Sequence, residues 1–351
     1  MEIGEIQQLS MQTFTDISLL SRNTFGIDQK CAELWVYQNV ADATQVALDD
    51  KLRSMPYLLV GGGSNLLLTR DFPGIVITPE KRFDMKVERE SADDVVIRCW
   101  AGTTFDDVVA YAVEQGWYGM ENLSLIPGEC GASAVQNIGA YGAEAKDILV
   151  DVEAVELATG KHVVIKAEDC NYSYRQSRFK HEWKDKYVIL TVSYRLSKTF
   201  TPDLDYGNIR AELERCGIDA ATLTAHQLRQ VIVDIRRAKL PDPEVMGNAG
   251  SFFMNPVVDE ATFERLKAEH SDLRYFEMGE GRYKIPAGWM IDQCGWKGKS
   301  LGRAGVHDKQ ALVLVNRGGA KGEDVVALMH AVQASVKERF GLELHPEVNV
   351  I

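Results

Sequence analysis

The chain has 351 residues, 45% of them hydrophobic, enough for two or three domains that each bury a core of their own. Lys and Arg total 39 against 51 Asp and Glu, a net charge of -12 with no basic cluster, which argues against nucleic acid or an anionic membrane surface as the main partner. Small anionic ligands stay open, because a nucleotide diphosphate needs only a few donors and many of these can be backbone amides.

In chain order, the opening segment MEIGEIQQLSMQTF is acidic where a secretory signal would be basic and then apolar, and no apolar run is long enough to span a bilayer. A cytoplasmic location is expected, and the sequons at Asn122 and Asn171 then read as chance matches. Short β-type runs follow at 57–60, 74–77, 94–100, 151–157, 162–165 and 187–194, separated by turn-forming residues. One helix interrupts them. Thr103 or Thr104 can cap it, Asp106 and Asp107 suit its positive end, and Phe105, Val108, Val109 and Ala112 make one apolar stripe before Gly116.

Composition shifts near Pro202, and from Thr224 the spacing of Leu228, Val231, Ile232 and Ile235 predicts a helix stopped by Pro241 and Pro243. Further helices are expected over 259–270 and 323–340, the latter closed by Gly341, so the last part of the chain should be richer in helix. Strands mixed with a few helices imply an α+β fold. The cysteines at 31, 99, 130, 170, 216 and 294 are widely spaced, with no CxxC pair or His set, and read as reduced thiols; no metal is expected.

Two glycine-rich segments could carry chemistry. Gly61-Gly62-Gly63-Ser64-Asn65 follows the strand YLLV, and glycines there would let the backbone turn with positive φ and present N–H groups to an anion. It matches neither a P-loop nor GxGxxG, and a plain tight turn is the competing reading. Ile126-Pro127-Gly128-Glu129-Cys130-Gly131-Ala132-Ser133 runs into Gln136-Asn137-Ile138-Gly139-Ala140-Tyr141-Gly142, where small residues among polar ones suit a flat cofactor and its diphosphate. Ordinary loop packing explains either segment alone. Together they favour a large dinucleotide such as FAD over ATP.

Ordered blocks along nearly the whole chain resemble the UDP-N-acetylenolpyruvoylglucosamine reductases: NTFGI (23–27), GGGSNLL (61–67), ENLSLIPG (121–128), QNIGAYG (136–142), YSYRQSRFK (172–180), KLPDP (239–243), GNAGSFFMNP (247–256) and HPEVNVI (345–351). The stretch 194–207, ending in DYGN, resembles the branch with an extra tyrosine-bearing substrate loop. Glu129-Cys130 departs from the small or apolar pair expected after Pro127-Gly128. The resemblance implies an FAD-binding half of the vanillyl-alcohol-oxidase type and a C-terminal α+β substrate domain. The implied layout is one FAD-binding subdomain at 1–75, with the 345–351 tail returning near the flavin, a second at 76–220, and a substrate domain at 221–344.

The same resemblance implies the activity and the roles. NADPH would reduce non-covalently bound FAD, and hydride from flavin N5 would then reach the alkene of an enolpyruvyl ether of UDP-N-acetylglucosamine in peptidoglycan precursor synthesis. Arg175 would clamp the carboxylate, Ser251 donate the proton, and Glu347, its pKa raised by burial, stand by the developing enolate. FAD contacts are implied at Gly61, Gly62, Gly63, Ser64, Asn65, Ile126, Pro127, Gly128, Gln136, Asn137, Gly139, Tyr141 and Ile189, and substrate contacts at Tyr174, Tyr206, Lys239, Asn255 and Gln310. A monomer with no nucleic-acid or membrane partner is expected. Taken without the resemblance, Tyr174-Arg175 reads as a surface ion-pairing site at a strand end, Ser251 as a turn residue and Glu347 as a solvated charge. His307 ranks below Ser251 as an acid because no neighbouring acid orients it. A flavin oxidase of the same cofactor superfamily is the nearest rival, but 57–69 holds neither the His nor the Cys that many of those use for covalent attachment. A non-catalytic flavin- or sugar-nucleotide-binding regulator would be free to lose Arg175, Ser251 and Glu347 together, and all three are present.

Overall fold

The computed structural model describes residues 11–351, so the first ten residues of the acidic opening segment lie outside it. The chain divides into two compact units, one formed by the residues up to Ile17 with 31–62 and 73–236, the other by 18–30, 63–72 and 237–351.

The first unit is built on a five-stranded antiparallel sheet in the order His162–Lys166, Leu149–Glu156, Tyr187–Ser197, Asp94–Trp100, Met85–Glu90. Val152, Val192 and Cys99 pair across its three central strands, and all three are fully buried. The central strands therefore read as continuous apolar runs. The edge strand Met85–Glu90 is largely exposed, carries four charges in six residues and shows no apolar alternation to announce it. A second sheet orders Gln12–Ser18, Lys30–Tyr37, Phe72–Pro79 and Tyr57–Leu59, the last pair parallel.

Helix Phe105–Glu114 buries the expected stripe of Phe105, Val108, Val109 and Ala112. Its cap differs from expectation. Thr104 holds the N-cap position without a side-chain bond, and Thr103 Oγ1 donates to the carbonyls of Arg82 and Asp84 instead. Helices Ile209–Arg215 and Ala225–Lys239 close a separate apolar cluster of Leu204, Ile209, Leu213, Leu228, Val231, Ile232 and Ile235, against which Tyr141 packs.

The second unit pairs a sheet ordered Asn248–Ser251, Val313–Asn316, Ala304–Val306, Ser300–Leu301 with helix Gly322–Phe340. Phe252, Phe253, Leu314, Val325, Leu328 and Val332 form its core. Gly341 ends the helix at φ 69°, as its position after Phe340 suggests. Asn349–Val350 pairs in parallel with Leu66–Leu67 of the GGGSNLL block. Among the described residues no disulfide joins the cysteines, and no helix is long and apolar enough to cross a membrane.

Candidate active site

Among the described residues eight non-glycine positions have left-handed backbone, and four of them, Leu125 (φ 58°), Asn137 (45°), Tyr141 (49°) and Arg175 (55°), fall in two segments of the first unit. Such a conformation costs a residue with a side chain roughly 1–2 kcal/mol and persists where its surroundings over-determine it, which is why it concentrates at ligand sites. Asn137 caps helix Cys130–Gln136 at its C-terminus, where asparagine is the usual alternative to glycine. Tyr141 and Gly142 join Gly139–Ala140 to Ala143–Glu144 with positive φ at both turn residues. That turn normally takes Asn-Gly, and the tyrosine here packs its ring against the Leu204, Ile209 and Leu228 cluster.

Asn137 locks these pieces together. Its Nδ2 donates to Glu144 Oε2 at 3.1 Å and to the Ser173 carbonyl at 2.8 Å, and its Oδ1 accepts from Lys146 N–H at 3.0 Å. Arg175 lies in the 173–176 turn rather than at a strand end, with Nη2 2.7 Å from the Gly139 carbonyl and Nη1 3.4 Å from that of Asn137. Its guanidinium also stands 5.4 Å from the centre of the Tyr174 ring. Fixed carbonyls thus aim a fork that a lysine could not reproduce.

Around Arg175 the fold brings Tyr206 and Arg236. Burial raises the Tyr206 phenol pKa, with Arg175 opposing, and a Cβ placed on Gly142 would come 3.3 Å from Tyr206 Cβ. Arg236, on helix Ala225–Lys239, donates Nε to the Leu125 carbonyl at 3.2 Å. Burial holds this guanidinium below its usual pKa, Tyr141 and Asp106 push it up, and Arg175 adds to the lowering. Sequence reasoning passed over Arg236 because a basic residue near a helix C-terminus reads as dipole compensation. Asn122, singled out in the sequence only as a chance sequon within the ENLSLIPG block, is buried and bridges the carbonyls of Tyr141 (2.8 Å) and Asp203 (3.0 Å), fastening the Tyr206 loop to the hairpin.

The GGGSN turn differs from expectation in one respect. Only Gly63 has positive φ, 65°, and a Cβ there would sit 2.0 Å from the Arg22 carbonyl oxygen. The backbone of the NTFGI segment thus imposes that glycine. Gly61 and Gly62 face the buried Glu129, with a Cβ on Gly61 only 3.1 Å from Glu129 Oε2 and 3.7 Å from Ala132 Cβ. Tyr37 donates its hydroxyl to the Ile189 carbonyl at 2.7 Å, and burial, then the Glu129 charge, push its pKa up. The segment 130–136, expected as loop, is a short helix behind Ile126-Pro127-Gly128, and the Gln136 Oε1 is buried without a hydrogen-bond partner among the described residues.

In the second unit, Ser251 ends strand Asn248–Ser251 with its side chain exposed, and the next residue, Phe252, accepts a hydrogen bond from Glu347 N–H at 2.8 Å. Asn65 Nδ2 donates to the Glu347 carbonyl at 3.2 Å, tying the end of GGGSN to the same strip. Phe252 N–H donates to the Leu312 carbonyl at 2.8 Å, and Gln310 Oε1 lies 3.4 Å from Leu312 N–H and 3.2 Å from a Cβ placed on Gly288. Asn255 Oδ1 accepts from Ala287 N–H at 2.8 Å at the start of helix Ala287–Gln293. The fold therefore gathers Asn65, Ser251, Asn255, Gln310 and Glu347, spread over some 280 residues, into one region. Lys239 is half-buried at the end of its helix. The His307 Nδ1 is buried without a hydrogen-bond partner among the described residues, and burial lowers its pKa.

Residues 37–166 match the family model described as an FAD binding domain, and 242–351 that of the UDP-N-acetylenolpyruvoylglucosamine reductase C-terminal domain. A UDP-N-acetylenolpyruvoylglucosamine reductase of Bacteroides fragilis is 54% identical over 334 residues, 95% of this chain and 98% of the relative. One from Burkholderia vietnamiensis is 46% identical, covering 95% of each chain. The crystal structure of the corresponding enzyme from Thermus caldophilus superposes with a TM-score of 0.65 at 22% identity over 97% of this chain and 98% of that one. Identity this high along almost the whole length shows that the chain belongs to the UDP-N-acetylenolpyruvoylglucosamine reductase family and is a flavin-dependent oxidoreductase with an FAD-binding domain.

Proposed function

We propose that this chain reduces the enolpyruvyl ether of UDP-N-acetylglucosamine to UDP-N-acetylmuramate in cytoplasmic peptidoglycan precursor synthesis, with NADPH as the reductant. The observation that carries the reading is that Arg175, on strained left-handed backbone, and Arg236 are held near each other, both half-buried, beside Tyr141 and Tyr206. Two neighbouring guanidinium groups repel each other unless an anion joins them, and a substrate carboxylate that gains further charge on reduction fits that requirement.

The residues present fit FAD. Gly61 and Gly62 give a floor that side chains would fill, and the buried Gln136 Oε1 is an acceptor suited to a ring N–H. Ile126, Pro127, Gly128, Tyr141 and Ile189 would complete its contacts. When bound, FAD supplies hydride to the alkene.

The chain's own groups do the rest. Arg175, with Arg236, binds the carboxylate and stabilises the charge that spreads into it. The Ser251 hydroxyl then donates a proton to the carbon beside that carboxylate, and Glu347, half-buried and bonded through its N–H to the Phe252 carbonyl, supports the enol form. Tyr174, Tyr206, Lys239, Asn255 and Gln310 are left to hold the sugar nucleotide.

An assay that follows NADPH oxidation and flavin absorbance in one cuvette tests the reading. NADPH should bleach the flavin, and the UDP-linked enolpyruvyl sugar should restore its colour with stoichiometric product. A preparation that releases no flavin on denaturation, or a reduced flavin indifferent to the sugar, would sink it.

A further inference from the structure

Leu125 immediately precedes Ile126-Pro127-Gly128, and both of its peptide groups are held from outside the loop. Its N–H donates to Asp106 Oδ1 at 2.6 Å, while its carbonyl accepts from Arg236 Nε at 3.2 Å. Asp106 is gripped in turn by the fork of Arg229, Nη1 to Oδ1 at 2.7 Å and Nη2 to Oδ2 at 3.0 Å, with both side chains about four-fifths buried. A charge-assisted bond to a peptide N–H is among the stronger hydrogen bonds a side chain can make, and here it meets a leucine that would relax to right-handed backbone without it. Relaxation would rotate the Leu125 carbonyl away from Arg236 Nε. Helix Phe105–Glu114 places Asp106 in its first turn, where a dipole role would not require a partner 123 residues away.

We infer that Asp106, fixed by Arg229, is a positioning residue that holds Leu125 left-handed and so aims the Arg236 guanidinium at the substrate carboxylate. This rests on the proposed role of Arg236. The relay works through backbone: Asp106 bonds the Leu125 N–H and the Arg229 fork, and its charge reaches the Arg236 guanidinium only across space. Arg229 and Arg236 lie on the same helix two turns apart, so one helix presents both the clamp on Asp106 and the guanidinium that Asp106 aims.

The test uses the FAD-loaded enzyme and measures binding of the enolpyruvyl sugar nucleotide by calorimetry, with FAD content, thermal midpoint and the rate of flavin bleaching by NADPH as companions. Asp106→Ala should weaken sugar-nucleotide binding tenfold or more while FAD content stays near that of the parent. Adding Leu125→Gly should recover at least threefold of that loss, because glycine takes left-handed backbone without help. A plain structural tether predicts the opposite sign, since the glycine would loosen the loop further. Unchanged binding in Asp106→Ala, or no recovery in the double variant, overturns the inference. Should Asp106→Ala fail to fold, Asp106→Asn leaves the Leu125 N–H only a weaker, uncharged acceptor, so binding should weaken at least threefold and Leu125→Gly should recover that loss; unchanged binding, or no recovery, overturns the inference. Arg236→Met separates the two claims. If it leaves binding intact, the role proposed for Arg236 falls; if it weakens binding while Asp106→Ala does not, only the relay falls.

Discussion

Gly62 and Gly63 are adjacent in sequence but are glycine for different reasons. Gly63→Ala puts a methyl against the Arg22 carbonyl in a left-handed turn and should cost more than about 3 kcal/mol, read as a lowered urea midpoint. A Cβ on Gly62 meets Glu129 at an ordinary 3.5 Å, so Gly62→Ala should keep the parent midpoint, and its FAD content then reports on the cofactor floor alone. Equal destabilisation of the two variants would refute this division. At Arg175, lysine keeps the charge but cannot reach both the Gly139 and Asn137 carbonyls as a fork, so Arg175→Lys should lose about 10²-fold or more in kcat; an unaltered kcat would return Arg175 to a surface role. Ser251→Ala separates the half-reactions. Bleaching by NADPH should proceed at close to the normal rate, while reoxidation by the enolpyruvyl sugar slows by about 10²–10⁴-fold, and near-normal single-turnover reoxidation would pass the proton to Glu347 or His307.

At the scale of elements, the hairpin 139–144 and the 173–176 turn share one support, the Asn137 side chain. Asn137→Ala removes three hydrogen bonds and leaves a left-handed alanine, so roughly 2–4 kcal/mol of stability should go, with kcat falling in parallel as Arg175 loses its aim. Asn137→Gly accepts left-handed backbone without strain and should recover part of the stability but none of the kcat, because the bonds to Glu144 and Ser173 stay lost. A variant that loses stability while kcat holds would separate this support from the chemistry. Strand Met85–Glu90 and helix Ala287–Gln293 show why some elements escape sequence reading, the first being an exposed edge with no buried face and the second only two turns long.

For the whole molecule, the buried Glu121 sets a pH dependence. Burial raises its pKa, the hydrogen bond of Oε2 with Gly119 N–H works against that, and Oε1 has no partner among the described residues. The folded protein therefore holds this proton more tightly than the unfolded chain does. The stabilisation is complete below the unfolded carboxylate value and is lost as pH rises through the folded one. Glu121→Gln abolishes the loss, so its thermal midpoint should exceed that of the parent at about pH 8 and converge on it near pH 4, around the ordinary carboxylate range. A gap independent of pH would show that Glu121 is not protonated on folding.

What the sequence determined by itself is what depends on neighbours along the chain. Apolar spacing marked the face of helix Ala225–Lys239 and the stripe of Phe105–Glu114, continuous apolar runs marked the central strands, and ordered motif blocks carried the family resemblance. Tertiary structure decided what depends on partners far away. Thr103 left its helix to bond Arg82 and Asp84, Asp106 took Arg229 as its partner, and Arg236 entered the site through the Leu125 carbonyl. A left-handed leucine or tyrosine has no local signature, because the contacts that offset its strain exist only once distant segments have packed.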